Sequence, residues 1–113
     1  MNDATQRPLI LVTNDDGIAA PGIRNLVESV ADLGDVVIVA PDSHQSGMGH
    51  AITISNILRI APYDFRMAGV QAYKTSGTPV DCVKLAIYKI LKRKPDVLLS
   101  GINHGSNASI NVI

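Results

Sequence analysis

Two uninterrupted apolar runs, Leu9–Val12 and Val36–Ala40, flank one amphipathic stretch, and this pattern constrains the chain more than any other feature. Runs without polar alternation are buried on both faces, as strands of a parallel sheet are. In the stretch between them Ile23, Leu26, Val27 and Val30 fall at i, i+3, i+4 and i+7. That is one apolar stripe on a helix that covers a sheet. Pro21 opens this helix and Gly34 closes it, the expected asymmetry of helix ends. Strand, helix and strand within about 32 residues make a right-handed crossover unit.

An irregular middle separates this unit from a second one. Pro41–His50 is a loop rich in Ser, Gly and His. Ala51–Ile60 begins by alternating, Ile52 and Ile54 against Thr53 and Ser55, and reads as a half-exposed strand. Val70–Thr75 reads as another short strand. Thr78-Pro79 begins a second helix, with Thr78 as N-cap and Asp81 in the first turn. Its apolar stripe is Val83, Ala86, Ile87, Ile90 and Leu91. Lys89, Lys92, Arg93 and Lys94 crowd its C-terminus as a solvated basic end, and Pro95 stops it. Val97–Ser100 is a third buried strand. The fold class expected is α/β: one domain over residues 1–113, built on a mostly parallel, doubly wound, Rossmann-like sheet.

Composition bounds the function classes. A chain of 113 residues, 46% apolar and formally neutral, folds rather than staying disordered. It lacks the basic excess that marks binding to a nucleic acid polymer. Cys82 is the single cysteine, so no internal disulfide forms and a reducing, cytoplasmic setting is expected. No apolar stretch approaches the roughly 20 residues that span a membrane. Residues 1–8 lack a signal-peptide core and read as a polar leader.

The chemistry gathers where the first strand ends. Leu9–Val12 runs into Thr13-Asn14-Asp15-Asp16-Gly17. Neighbouring side chains on a strand point to opposite faces. Asp15 and Asp16 therefore converge only if the backbone turns, which Gly17 permits. Close carboxylates repel unless a proton or cation intervenes, and a hard divalent metal is the simplest resolution. Asn-Asp-Asp-Gly is also ordinary turn chemistry. The topology weighs towards a site, because ligands of doubly wound sheets bind outside the carboxyl ends of the strands. Three polar loops leave that edge: at Asp15-Asp16, at Ser43–His50 and at Asn103–Asn107. They offer carboxylates, hydroxyls and amide oxygens, which suit Mg²⁺, Mn²⁺ or Ca²⁺ better than Zn²⁺. Their glycines also expose backbone N–H groups suited to phosphate. A cation beside phosphate-binding backbone implies phosphoryl chemistry, with phosphoryl oxygen polarised and water acidified.

Other phosphate sites match less well. No Gly-x-x-x-x-Gly-Lys-[Ser/Thr] is present, and no Gly-x-Gly-x-x-Gly follows the first strand. An Asp-x-Asp phosphatase would need its nucleophile where Asn14 stands, and an amide does not attack phosphorus. A receiver domain would need a phosphoacceptor Asp at a later strand end, where Ser100 stands; Asp96 begins that strand.

Five segments resemble the SurE family of stationary-phase survival proteins. They are Ile10–Ile18 with Ala20-Pro21-Gly22-Ile23, Val39–Asp42, Ser46–Thr53, Thr75–Val83 and Ser100–Asn107. The likeness runs in order from Leu9 onward. It implies a metal-dependent phosphatase that hydrolyses nucleoside monophosphates, as a 5′- and 3′-nucleotidase, in some members also polyphosphate. It implies Asp15, Asp16, Ser46 and Asn103 as the ligands of a divalent cation, Mg or Mn, with Asp15 and Asp16 catalytic. Gly47, Asn103 and Asn107 would contact the substrate. It also implies a homodimer or homotetramer in the full-length family. Family members continue past the point where this chain stops, into a Ser-Gly-Thr segment and C-terminal extensions. The alternative expectation is therefore an inactive truncated fragment that binds metal or associates through an unfinished sheet.

Several residues have plainer readings. His44, His50 and His104 are taken as solvated or structural loop histidines, although imidazole can transfer protons near neutral pH. Thr75–Thr78 sits near a nucleotide site, but a cap explains Thr78 and a turn explains Gly77. Asp42 is expected to bond loop backbone, and Cys82 to be packed inside its helix. Asn107 either orders the loop under Asn103 or touches substrate.

Overall fold

The computed structural model describes residues 7–43 and 57–103, and the backbone of 109–112. Its elements are β1 (Leu9–Thr13), α1 (Pro21–Val30), β2 (Asp35–Pro41), β3 (Ile60–Pro62), β4 (Gln71–Thr75), α2 (Pro79–Leu85) extended by a π-helical turn (Ala86–Ile90), β5 (Val97–Ser100) and β6 (Ser109–Val112). They form one sheet in the order β3-β4-β2-β1-β5-β6. β4, β2, β1 and β5 are parallel, while β3 and β6 pair antiparallel at the two ends. The expected α/β, mostly parallel architecture is the one observed.

The strand order reverses at β1. The chain leaves β1 for β2 on one side and later returns to β5 on the other. Right-handed crossovers in opposite directions place their helices on opposite faces. Accordingly Ile10, Val12, Val36 and Ile38 share a core with Ile23 and Val27 of α1. The alternate residues Leu9, Leu11, Val37 and Val39 share the other core with Cys82 of α2 and Ala86 of the π-helical turn. Full burial on both faces is why these runs carry no polar residue. Ile23 and Val27 are wholly buried, which contributes about 1.5–3 kcal/mol each.

The structure corrects several boundaries. α1 ends at Val30, before Gly34. Gly34 serves a different need: a Cβ there would lie 2.4 Å from the Pro8 carbonyl oxygen, which accepts from the Asp35 N–H at 2.8 Å. The second helical stretch ends at Ile90, and Leu91 is extended. Pro95 keeps only Lys94 out of the α-helical region, and the helix stops earlier still, at Leu91. Lys92, Arg93 and Lys94 thus lie beyond the helix. Arg93 donates to the Arg7 carbonyl at 2.7 Å and to Asp96 at 3.2 Å, so it is not simply solvated. Ile87, expected on the apolar stripe, is exposed. The strand expected over Ala51–Ile60 falls largely outside the described residues. Within them, Ile57–Arg59 is not strand, and β3 starts only at Ile60. β6 has no counterpart in the sequence reading.

Candidate functional site

The carboxyl end of β1 is closed by its own asparagine. Asn14 is fully buried. Its side-chain NH₂ donates to the Gly17 carbonyl at 2.8 Å, and its Oδ1 accepts from the Gly17 N–H at 3.2 Å. Gly17 has φ 106°, a left-handed conformation that glycine adopts without steric cost. The two bonds fold residues 14–17 into a tight bend with Asp15 and Asp16 at its tip. Asp15 is exposed and Asp16 half-buried.

Backbone bonds tie the other strand ends to this bend. The Ile18 N–H donates to the Pro41 carbonyl at the end of β2, at 2.8 Å. The Asp42 N–H donates to the Thr75 carbonyl at the end of β4, also at 2.8 Å. Gly101, just past β5, donates to the Thr13 carbonyl at 3.0 Å. Asn103 then reaches over β1: its Oδ1 accepts from the Asp15 N–H at 3.0 Å, and its Nδ2 approaches Asp15 Oδ2 at 3.4 Å. Residues 88 positions apart in the chain thus meet at the crevice outside β1, where the strand order reverses.

Of the residues singled out in the sequence, Asp15 and Asn103 meet, with Asp16 next to Asp15 at the tip of the bend. Ser46, Gly47 and Asn107 lie outside the described residues, as do His44, His50 and His104. The described donors are two carboxylates and an amide oxygen. Among the described residues no three His, Cys, Asp or Glu side chains gather as a metal site. An amide oxygen has two lone pairs, so Asn103 Oδ1 can accept from Asp15 and still face a hard cation. The donor set therefore fits a divalent ion that takes oxygen ligands.

The segment after β4 is self-contained. Thr75 is buried; its hydroxyl accepts from the Gly77 N–H at 3.1 Å and lies 3.0 Å from the Cys82 sulfur. Thr78 and Asp81 form a reciprocal capping box, Oγ1 accepting from the Asp81 N–H at 3.2 Å and Oδ2 from the Thr78 N–H at 2.9 Å. Burial pushes the Cys82 thiol up to about 11, while the Thr75 hydroxyl pulls the other way. A neutral, enclosed thiol is no nucleophile.

Sequence reasoning missed Asn14. The segment reads as ordinary turn chemistry and Asn14 as an absent nucleophile, but the part its side chain plays in closing the turn goes unread, although Asn followed three positions later by Gly is the signal for it.

Fold and site together define an α/β domain of the doubly wound class, with an acidic, oxygen-rich crevice at the strand carboxyl ends. Residues 10–113 match the family model described as "Survival protein SurE", and the chain belongs to the SurE family. It is 63% identical over 107 residues to a 5′-nucleotidase SurE of Flavobacterium psychrophilum, covering 95% of this chain and 42% of that protein. It is 48% identical over 108 residues to a 5′-nucleotidase SurE of Bacteroides thetaiotaomicron, covering 96% and 41%. Among solved structures, the SurE protein of Aquifex aeolicus aligns with TM-score 0.72 and 44% identity, over 88% of this chain and 39% of that one. The chain thus spans about two fifths of the length of these relatives. Among the described residues, no helix is long and apolar enough to cross a membrane.

Proposed function

We propose that this chain carries the cation-binding half of a divalent-metal-dependent nucleotidase that hydrolyses nucleoside 5′-monophosphates in the cytoplasm. Asp15, Asp16, Ser46 and Asn103 would hold the ion, Mg or Mn. The observation that carries this reading is the Asp15–Asn103 contact, which joins the loops after β1 and β5 around two adjacent carboxylates. The relatives' description as 5′-nucleotidases supports the substrate class. When bound, the cation supplies Lewis-acid polarisation of phosphoryl oxygen and acidifies water. The chain's own part is to fix the carboxylates at a bend tip and to orient Asn103. The Gly47 N–H and the side chains of Asn103 and Asn107 would orient the phosphate.

The test is release of inorganic phosphate from AMP and GMP by the purified chain with added Mn²⁺, before and after chelation. Turnover that chelation abolishes and Mn²⁺ restores is expected. Turnover indifferent to chelation rejects the metal-dependent reading.

A second reading is favoured by the share of its relatives that the chain spans, 42% in the first case. In it these residues bind the ion but complete no phosphate pocket. Saturable Mn²⁺ binding with no phosphate release would select it over the first.

A further inference from the structure

We infer that Gly22 is a positioning residue of this site: its missing side chain admits the backbone at Ile102 that sets Asn103 against Asp15. The inference rests on the reading of Asp15 and Asn103 as part of one cation site.

Gly22 is the second residue of α1. Glycine in a helix costs about 1 kcal/mol relative to alanine, so some other requirement keeps a side chain out. The surroundings state it. A Cβ on Gly22 would lie 2.0 Å from the Ile102 carbonyl oxygen, 3.0 Å from its carbonyl carbon and 3.5 Å from its Cβ. The nearest of these are backbone atoms, so no rotamer change relieves the overlap. The two backbones also face each other through the Ile102 N–H and the Gly22 carbonyl, 3.4 Å apart.

The consequence follows along the chain. Gly101 is tied to Thr13 at 3.0 Å, Ile102 lies on the first turn of α1, and Asn103 comes next. With alanine at position 22, Ile102 and α1 must separate by roughly 1 Å before the new contact reaches the 3.0 Å that real Cβ atoms respect. Either the β5 loop moves, carrying Asn103, or α1 moves, pulling on the bend that holds Asp15. Both separate Asp15 from Asn103, whose contacts stand at 3.0 and 3.4 Å. A hydrogen bond does not survive an extension of that size.

Gly34 supplies a matched control. A Cβ there would also collide with backbone, 2.4 Å from the Pro8 oxygen, but at the opposite edge of the sheet. The experiment measures Mn²⁺ binding by electron paramagnetic resonance in the purified chain and in Gly22→Ala, Gly34→Ala, Asn103→Ala and the Gly22→Ala/Asn103→Ala double variant. Exchange of the Asp15 amide hydrogen is followed without metal. Gly22→Ala should weaken Mn²⁺ binding tenfold or more and speed Asp15 exchange. Gly34→Ala should lower stability while changing Mn²⁺ binding less than twofold. In the Asn103→Ala background, Gly22→Ala should cost much less, because the Asp15–Asn103 contact it breaks is already gone.

If Gly22→Ala does not fold, Ile102→Gly frees the backbone of the segment that carries Asn103, at an exposed position and without adding an atom. It should weaken Mn²⁺ binding at least threefold. Equal losses for Gly22→Ala and Gly34→Ala, full additivity with Asn103→Ala, or unchanged binding in Ile102→Gly overturns the assignment. Absence of Mn²⁺ binding in the unaltered chain overturns the cation site instead, and unchanged Asp15 exchange in Gly22→Ala still refutes the role of Gly22.

Discussion

Asn14→Ala tests whether the acidic bend is held by side-chain chemistry or by the sheet alone. Asn14 is wholly buried, and its amide makes both bonds to Gly17, at 2.8 and 3.2 Å. Alanine removes both; the buried Gly17 N–H is left unpaired, while the Gly17 carbonyl keeps its bond from the Ala20 N–H at 3.1 Å. An unpaired buried donor costs about 1–3 kcal/mol and the second lost bond about 1 kcal/mol more, so the expected loss is about 2–4 kcal/mol. That is a large share of the roughly 5–15 kcal/mol typical of a domain. With a urea m-value of about 1–3 kcal/mol/M, a loss near 3 kcal/mol lowers the unfolding midpoint by roughly 1–3 M. Urea titration by circular dichroism reads this directly.

Asn14→Asp sharpens the test. It preserves shape but turns the donor facing the Gly17 carbonyl into an oxygen. Burial beside carbonyl oxygen and two neighbouring carboxylates raises the new group's folded-state pKa above the usual value of about 3.9. Below the unfolded pKa both states are protonated and the carboxyl can still donate, so the penalty is small there. It grows as pH rises towards the raised folded pKa and stays in full above it. An Asn14→Asp protein as stable as the parent at pH 7, or one whose deficit does not shrink on acidification, would refute the argument.

Asp15→Asn should abolish Mn²⁺-dependent phosphate release while leaving the thermal midpoint within a few degrees, because Asp15 is exposed and a close carboxylate pair is relieved; calorimetry and a phosphate assay check the two halves. Thr78→Ala should cost about 1 kcal/mol, the usual worth of an N-cap, through loss of the Asp81 N–H bond; urea unfolding reads it. For Cys82, whose thiol is raised from 9.0 to about 11, stability should be flat below pH 9 and fall between pH 9 and 11. There the unfolded chain releases the proton and the folded chain keeps it. Cys82→Ala should lack that alkaline decline, whatever it loses to the cavity.

The parts of the fold legible in the sequence are those with local causes. β1 and β2 announce themselves because a strand buried on both faces must be apolar at every position. The starts of both helices are legible because Pro21, Thr78 and Asp81 act within one turn. Helix ends were misjudged because their causes are distant. Gly34 answers to Pro8 rather than to α1, and Arg93 leaves the helical path to reach Arg7 and Asp96. The short outer strands β3 and β6 owe their existence to partners already in place. Unlike the four-residue, mostly apolar β5, Ile60-Ala61-Pro62 and the mixed Ser109–Val112 carry too little pattern to be read alone.

The site divides along the same line. By itself the sequence determined which atoms are on offer: adjacent carboxylates at the end of an apolar strand, a glycine that lets the chain bend, and an amide on a later loop. Periodicity and residue chemistry act over a few positions, so they survive reading in one dimension. Only the tertiary structure decided that Asn103 meets Asp15 and that Asn14 is the clasp of the bend. Only it showed that Gly22 is small because another backbone lies against it. Those facts depend on which strands flank β1 and how closely α1 lies under the loop after β5, distances that no local pattern encodes.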